Sequence, residues 1–375
     1  MRPILYMSIL GLLAMMVIFV PLSLAASEVE LQDTQTNPVL DTDAESDDPD
    51  DDSISTANVI GAIVTALSAA AINIAFLFQP VREWVARFLP KPQAPAPARA
   101  QPTPMLMPTL NWDDDAPPPN PAPDGSAIGP EDHGANGGFR PDSMMHMWAG
   151  ILAMTFLAFQ LMSFFLADGL SGLAEGIAVD YSVLIANFIP LLLIPLMGVG
   201  LFIRRSPAQV LQRLGLTKLT WQGLLVSLGA TVFLILFVFT VSILWQLVVS
   251  EETYQRQTEA SEALAASVDE PGLAFTVAFT AGVGEEIAYR GALQPIFGFW
   301  FTTIFFVLSH TQYALTPATL IIFAVAAVFG LIRKYFNTTA AILTHFLYNF
   351  TLLMLSLAGQ QLEPESWLVL LLTIV

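Results

Sequence analysis

Residues 221–249 read WQGLLVSLGATVFLILFVFTVSILWQLVV, without a single charged side chain. At 1.5 Å per residue a helix of this length crosses the roughly 30 Å of hydrocarbon in a bilayer. Working upstream, Met144–Ala167 and Tyr181–Ile203 have the same character, and Arg204-Arg205, Arg213 and Lys218 lie between the second of these and Trp221. Downstream, Pro271–Phe299 reads as one long helical region, and Phe301–Ala314 and Pro317–Ile332 as shorter helices closed by Arg333-Lys334. Asn337–Leu357 and Ser366–Val375 complete about eight helices in this block. In hydrocarbon every backbone polar group needs an internal partner, so the expected fold is all-α, a polytopic transmembrane helical bundle. The loops alternate in charge. Loop 168–180 holds Asp168, Glu175 and Asp180 with no basic residue, and loop 250–270 holds six acids and only Arg256. Basic loops inside and acidic loops outside give one consistent topology.

This placement resolves a conflict in the composition. The chain has 375 residues, 54% apolar and 12% charged, with a mean hydropathy of +0.62 and a formal net charge of −18. Soluble domains carry roughly a quarter of charged residues. Residues 1–142 hold 6 basic and 19 acidic side chains, net −13, and residues 143–375 hold 8 and 13, net −5. The acidity therefore belongs mainly to the front of the chain. It speaks against nucleic acid as a partner and leaves the lipid bilayer as the expected surroundings. With no cysteine, disulfides, thiolate catalysis and Cys-ligated zinc are excluded.

Residues 1–26 have the pattern of a signal peptide: Arg2, an apolar run to Val20, then the small-residue stretch Ser23-Leu24-Ala25-Ala26. Residues 27–57 form an acidic segment, expected to be disordered and exported. Between Glu28 and Asp52 it carries eleven acids and no base, too polar to bury a core. Residues 58–79 read as a transmembrane anchor helix, followed by Arg82, Arg87 and Lys91 on what should be its cytoplasmic side. Residues 80–142 read as a Pro-rich cytoplasmic linker, since 14 of the 26 prolines lie between Pro90 and Pro141. The whole is expected to be a multi-pass protein of the plasma membrane.

Within the apolar block, ionisable groups are costly and point to function. One cluster is Gly282-Val283-Gly284-Glu285-Glu286-Ile287-Ala288-Tyr289-Arg290-Gly291. On an α-helix Glu286 and Arg290, four apart, share a face and can pair, whereas Glu285 projects about 100° away and stays free to accept a proton. Gly282, Gly284 and Gly291 allow neighbouring helices to approach. The other clusters are Phe306-Val307-Leu308-Ser309-His310 and His345-Phe346-Leu347-Tyr348-Asn349, with His345 and Asn349 on one face. His133 and His146, in the linker and at a membrane entry, read as incidental. A buried carboxylate can serve as general base towards water. Glu285, His310 and His345 also match the ligand set of an open divalent metal site such as zinc. His and Asn can alternatively donate to an oxyanion. All three chemistries point to hydrolysis of a carbonyl compound.

The three motifs resemble those of the CPBP intramembrane proteases, the family of CAAX prenyl endopeptidases type II and bacteriocin-processing proteins also called Abi. Its motifs EExxxR, FxxxH and HxxxN occur here intact and in order as Glu285-Glu286-Ile287-Ala288-Tyr289-Arg290, Phe306-Val307-Leu308-Ser309-His310 and His345-Phe346-Leu347-Tyr348-Asn349. Tyr289 stands where Phe is commonest in the family. The resemblance spans roughly residues 140–375 and implies that residues 143–375 form a protease domain. By carry-over, Glu285 activates water with the help of His310, His345 and Asn349 stabilise the oxyanion, and Glu286 and Arg290 support the site. It implies a membrane protein or peptide as substrate and leaves metal use open.

Other readings carry less. Gly169-Leu170-Ser171-Gly172 matches the G-x-S-G of membrane serine proteases but sits in a short acidic loop, where a turn is the plain reading. The zinc-protease pattern H-E-x-x-H is absent. A non-proteolytic membrane scaffold or regulator could carry the same bundle. A proton-coupled transporter would use buried Glu and His as relays, but no duplicated half-pattern of broken helices accompanies them.

Overall fold

The computed structural model describes residues 56–91, 137–166, 179–203, 205–250, 254, 262–263, 265–311 and 318–360. The signal-peptide, acidic-segment and G-x-S-G readings lie outside these residues, as do the central linker and Ser366–Val375. Among the described residues the chain is all-helical, with only an isolated bridge between Leu201 and Arg205.

The helices are α1 (Thr56–Leu77), α2 (Gln79–Val85), α3 (Met144–Leu166), α4 (Tyr181–Gly198), α5 (Pro207–Leu214) and α6 (Trp221–Gln246). Then follow α7 (Pro271–Glu285), a π-helical segment (Glu286–Leu293), α8 (Gln294–Phe297), α9 (Phe299–Leu308), α10 (Ala318–Tyr335) and α11 (Thr338–Gln360). Six of them, α1, α3, α4, α6, α10 and α11, are long and apolar enough to cross a membrane. The fold is a polytopic transmembrane helical bundle.

Several expected boundaries shift for local reasons. The span expected at Tyr181–Ile203 ends at Gly198, because Gly200 and Phe202 take positive φ (98° and 60°) and turn the chain. The expected region Pro271–Phe299 is interrupted at Gly298, whose φ of +85° starts α9 in a new direction. A short amphipathic helix, α5, appears where only a basic loop was expected. Ser206 caps it in a reciprocal box with Gln209, Pro207 opens it and Gly215 closes it in the left-handed region.

α11 is the central post, packing on α7, α6 and α10, while α4 lies against α7 and α9 against α10. Small side chains set the spacing. A Cβ at Gly282 would meet the backbone nitrogen of Phe346 at 3.0 Å, so α7 and α11 touch almost backbone to backbone. Gly284 faces Leu191, and Gly291 faces the Leu214 carbonyl at similar range. Ser227 donates to the Ala340 carbonyl at 2.9 Å and ties α6 to α11.

α1 is docked rather than free: it packs along α3, with Asn73 Nδ2 donating to Thr155 Oγ1 at 2.9 Å. Both ends of the proline-rich region are folded. Buried Arg82 donates to the carbonyls of Pro141, Phe76 and Leu77, and Phe139 stacks on Phe297. The basic residues gather at one end, where Arg213 donates to the Gly291 carbonyl and Gly215 abuts Arg333. Asp180 and Glu270 mark the other end, where the Tyr181 hydroxyl donates to Glu270 at 2.6 Å.

Candidate active site

The site forms where α7 passes into the π-helical segment. Pro295 has no N–H to offer the Gly291 carbonyl, and the Gln294 N–H bonds to Tyr289 five residues back instead of to Arg290. Two carbonyls are thereby released. Arg290 O accepts from Arg333 Nε at 3.2 Å, and Gly291 O accepts from Arg213 Nη1 at 3.3 Å. Glu286 and Arg290 pair as expected, but on a π-helical turn rather than the α-helical one the spacing predicts.

Glu286 and Arg290 are 0% and 1% exposed, with Arg290 Nη1 3.1 Å from Glu286 Oε1. The same oxygen accepts from His345 Nδ1 at 3.0 Å. Arg290 Nη2 donates to the Ala326 carbonyl, and the guanidinium lies 4.2 Å from the Phe306 ring centroid. Phe329 stacks on the His345 ring at 4.5 Å. A buried carboxylate is thus matched by a cation, two aromatic faces and a histidine, the kind of compensation a charge at this depth requires.

Glu285 faces elsewhere. Its Oε2 lies 3.8 Å from His310 Nε2, beyond hydrogen-bond range, and both side chains keep about a fifth of their surface exposed. Among the described residues Glu285 Oε2 has no hydrogen-bond partner. His310 stands just past the end of α9, and its Nδ1 is 2.7 Å from the Phe306 carbonyl. A carbonyl only accepts, so Nδ1 carries a proton, and Nε2 is the ring nitrogen turned towards Glu285. Asn349 follows His345 by one turn of α11 and is half-buried.

Five of the six expected site residues therefore fall into two coupled groups, Glu285 with His310 and Glu286 with Arg290 and His345, while Asn349 lies one turn after His345 on α11. Glu285, His310 and His345 do not converge as one ligand set, because His345 turns to Glu286. Among the described residues no group of three or more His, Asp and Glu side chains is placed to hold one metal ion. Of the remaining histidines, His146 Nδ1 accepts from the Arg140 backbone N–H at 3.0 Å at the entry to α3. Phe329 and Arg333 were not singled out from sequence. An aromatic in an apolar run and a basic residue closing a helix give no local sign of a role at a distant site.

With this geometry in view, a comparison against protein families is specific. Residues 268–351 match the family model described as Type II CAAX prenyl endopeptidase Rce1-like. This segment is similar to that family. It contains the π-helical turn and all six site residues, so the Rce1-like segment and the polar cluster coincide. α1 to α6 lie outside the match. No curated protein and no solved structure matches the chain.

Proposed function

We propose that this protein is an intramembrane endopeptidase of the CAAX prenyl protease type II-like kind, hydrolysing a peptide bond with water activated by Glu285. The observation that carries this reading is the pair Glu285 Oε2 and His310 Nε2, 3.8 Å apart and both acceptors when the His310 ring is neutral. One water has two protons to give and can lie within about 2.8 Å of both. Glu285 takes one proton, the oxygen attacks the carbonyl carbon, and His310 holds the water through the other hydrogen bond. His345, oriented by Glu286 through Nδ1, offers its Nε2–H to the oxyanion, and Asn349 donates from its amide. When the C–N bond breaks, the proton held by Glu285 passes to the leaving amine. Glu286 and Arg290 touch no reacting atom in this scheme. They hold His345 in place.

Depth along the helices supports entry from the basic end. His345 is seven residues in from Thr338, about 10 Å, whereas Glu285 is fourteen residues in from Pro271, about 21 Å. With basic residues facing the cytoplasm, a membrane protein or peptide substrate would reach the water from that side.

The test is cleavage in lipid nanodiscs of a farnesylated peptide ending in a CaaX sequence and of an unprenylated transmembrane peptide. It is run beside comparative proteomics of membrane peptides in cells carrying wild type or Glu285→Ala. Wild type should release products that Glu285→Ala does not, with a loss of at least about 100-fold. Unchanged turnover in Glu285→Ala would refute the mechanism, and a scaffold would keep its phenotype in that variant.

A further inference from the structure

His310 is held by more than the Phe306 carbonyl. At the C-terminal end of α9 the His310 N–H bonds to Val307 rather than to Phe306, leaving the Phe306 carbonyl without its helical donor. Two side chains converge on it: His310 Nδ1 at 2.7 Å and Ser309 Oγ at 2.8 Å. Ser309 Oγ also lies 2.7 Å from the Tyr289 hydroxyl, in the π-helical segment. Because the chain ends on a carbonyl, its direction is determined. Ser309 gives its proton to Phe306, so Tyr289 donates to Ser309. The Tyr289 proton occupies one lone-pair direction of Ser309 Oγ and stops that hydroxyl from turning its own proton to His310 Nδ1, 3.5 Å away.

The backbone of the same turn is gripped from the other side. Gln160 Nε2, on α3, donates to the Ser309 carbonyl at 3.0 Å, and Thr311 Oγ1 reaches the Gln160 carbonyl at 3.5 Å. Gln160 lies outside the Rce1-like segment, on the helix against which α1 packs. Polar side chains inside hydrocarbon persist when each finds a partner. Here the partners meet at one residue, next to the histidine that faces Glu285.

We propose that Tyr289, Ser309 and Gln160 are positioning residues that hold the neutral His310 ring with its proton on Nδ1 and its Nε2 lone pair turned to Glu285. The proposal rests on the hydrolytic reading for its purpose, but not for its test. The role is specific: a ring protonated on Nε2 instead would meet Glu285 with a donor, bind the carboxylate directly and exclude the water. Tyr289 joins the segment carrying Glu285 and Glu286 to the end of α9, and Gln160 joins that end to α3, so the water-holding pair is set by three elements.

The full-length chain, labelled with ¹⁵N-histidine in lipid nanodiscs, gives ring nitrogen signals in which His310 is assigned by its loss in His310→Gln. At a pH where the ring is neutral, wild type should show a single Nδ1–H form. Tyr289→Phe and Ser309→Ala should each raise the Nε2–H form about 3- to 10-fold, the scale of one hydrogen bond. Ser309→Thr, which keeps the hydroxyl, should restore the wild-type spectrum, and Gln160→Leu should broaden the His310 signals. A wild-type ring protonated on Nε2, or superimposable spectra in Tyr289→Phe, Ser309→Ala and wild type, would overturn the proposal. Cleavage retained by Glu285→Ala would instead sink the hydrolytic reading and leave the ring chemistry standing.

Discussion

Replacing Arg290 by Met tests how the buried Glu286 carboxylate is tolerated. Met keeps the unbranched stem but lacks the guanidinium, so three interactions vanish: the ion pair at 3.1 Å, the bond to the Ala326 carbonyl and the stack on Phe306. Glu286 is fully buried and, among the described residues, would keep His345 as its one partner. Removing one partner from a buried pair costs about 3–5 kcal/mol, because the remaining charge cannot return to water. Most of that is the penalty of the orphaned charge rather than the worth of the pair. Glu286→Gln on the Arg290→Met background should therefore recover about 2 kcal/mol or more, although it removes a further interaction. Equilibrium unfolding in SDS titrations of the four chains of this cycle gives the numbers directly. A loss below about 1 kcal/mol in Arg290→Met would refute this account, as would a double variant less stable than Arg290→Met. Either result would mean that Glu286 is neutral or hydrated in the folded chain.

Three further outcomes follow from the packing. Gly282→Ala should destabilise by about 1–3 kcal/mol, seen as a lower thermal midpoint, since its Cβ would press on the Phe346 backbone, which cannot swing aside as a side chain does. Arg82→Ala leaves three carbonyls short of a donor and should cost on the order of 2 kcal/mol, with α1 and α2 becoming accessible to limited proteolysis before the rest. At the acidic end, hydrogen bonds from Ser182 and the Val183 amide to Asp180 hold its carboxyl below the usual carboxylate range. A depressed folded-state value means that the cap is fully present above the unfolded value near 3.9 and is lost as pH falls through the lower, folded one. Amide exchange at Ser182 and Val183 should accelerate over that acidic window in wild type and not in Asp180→Asn.

The legibility of the site varied with the range of the interaction concerned. Glu285, Glu286 and Arg290 stood out because charge is rare in an apolar run, and His310, His345 and Asn349 because their spacing repeats a known family pattern. The pairing of Glu286 with Arg290 was readable from a four-residue interval. The π-helical turn that carries it was not. That turn depends on Pro295, a residue outside the motif, and on Arg213 and Arg333, which come from α5 and α10 to take up the released carbonyls. Tyr289 attracted notice only as a departure from Phe. Its hydroxyl acquires a meaning once Ser309 is found 2.7 Å away, and Gln160 is separated from Ser309 by 149 residues. The docking of α1 was likewise hidden, since an apolar anchor reads the same whether it faces lipid or another helix.

What the sequence by itself determined was solvent and periodicity. Long uncharged runs can be stable only as helices in hydrocarbon, because their backbone must satisfy its own hydrogen bonds, and basic flanks orient them. Those are local properties, complete within a span of about twenty residues. Tertiary structure alone decided which histidine each carboxylate meets. Neighbouring residues 285 and 286 have the same chemistry, and beyond the Arg290 that the spacing gives to Glu286 they differ in what other helices bring to them: His345 to one, His310 to the other.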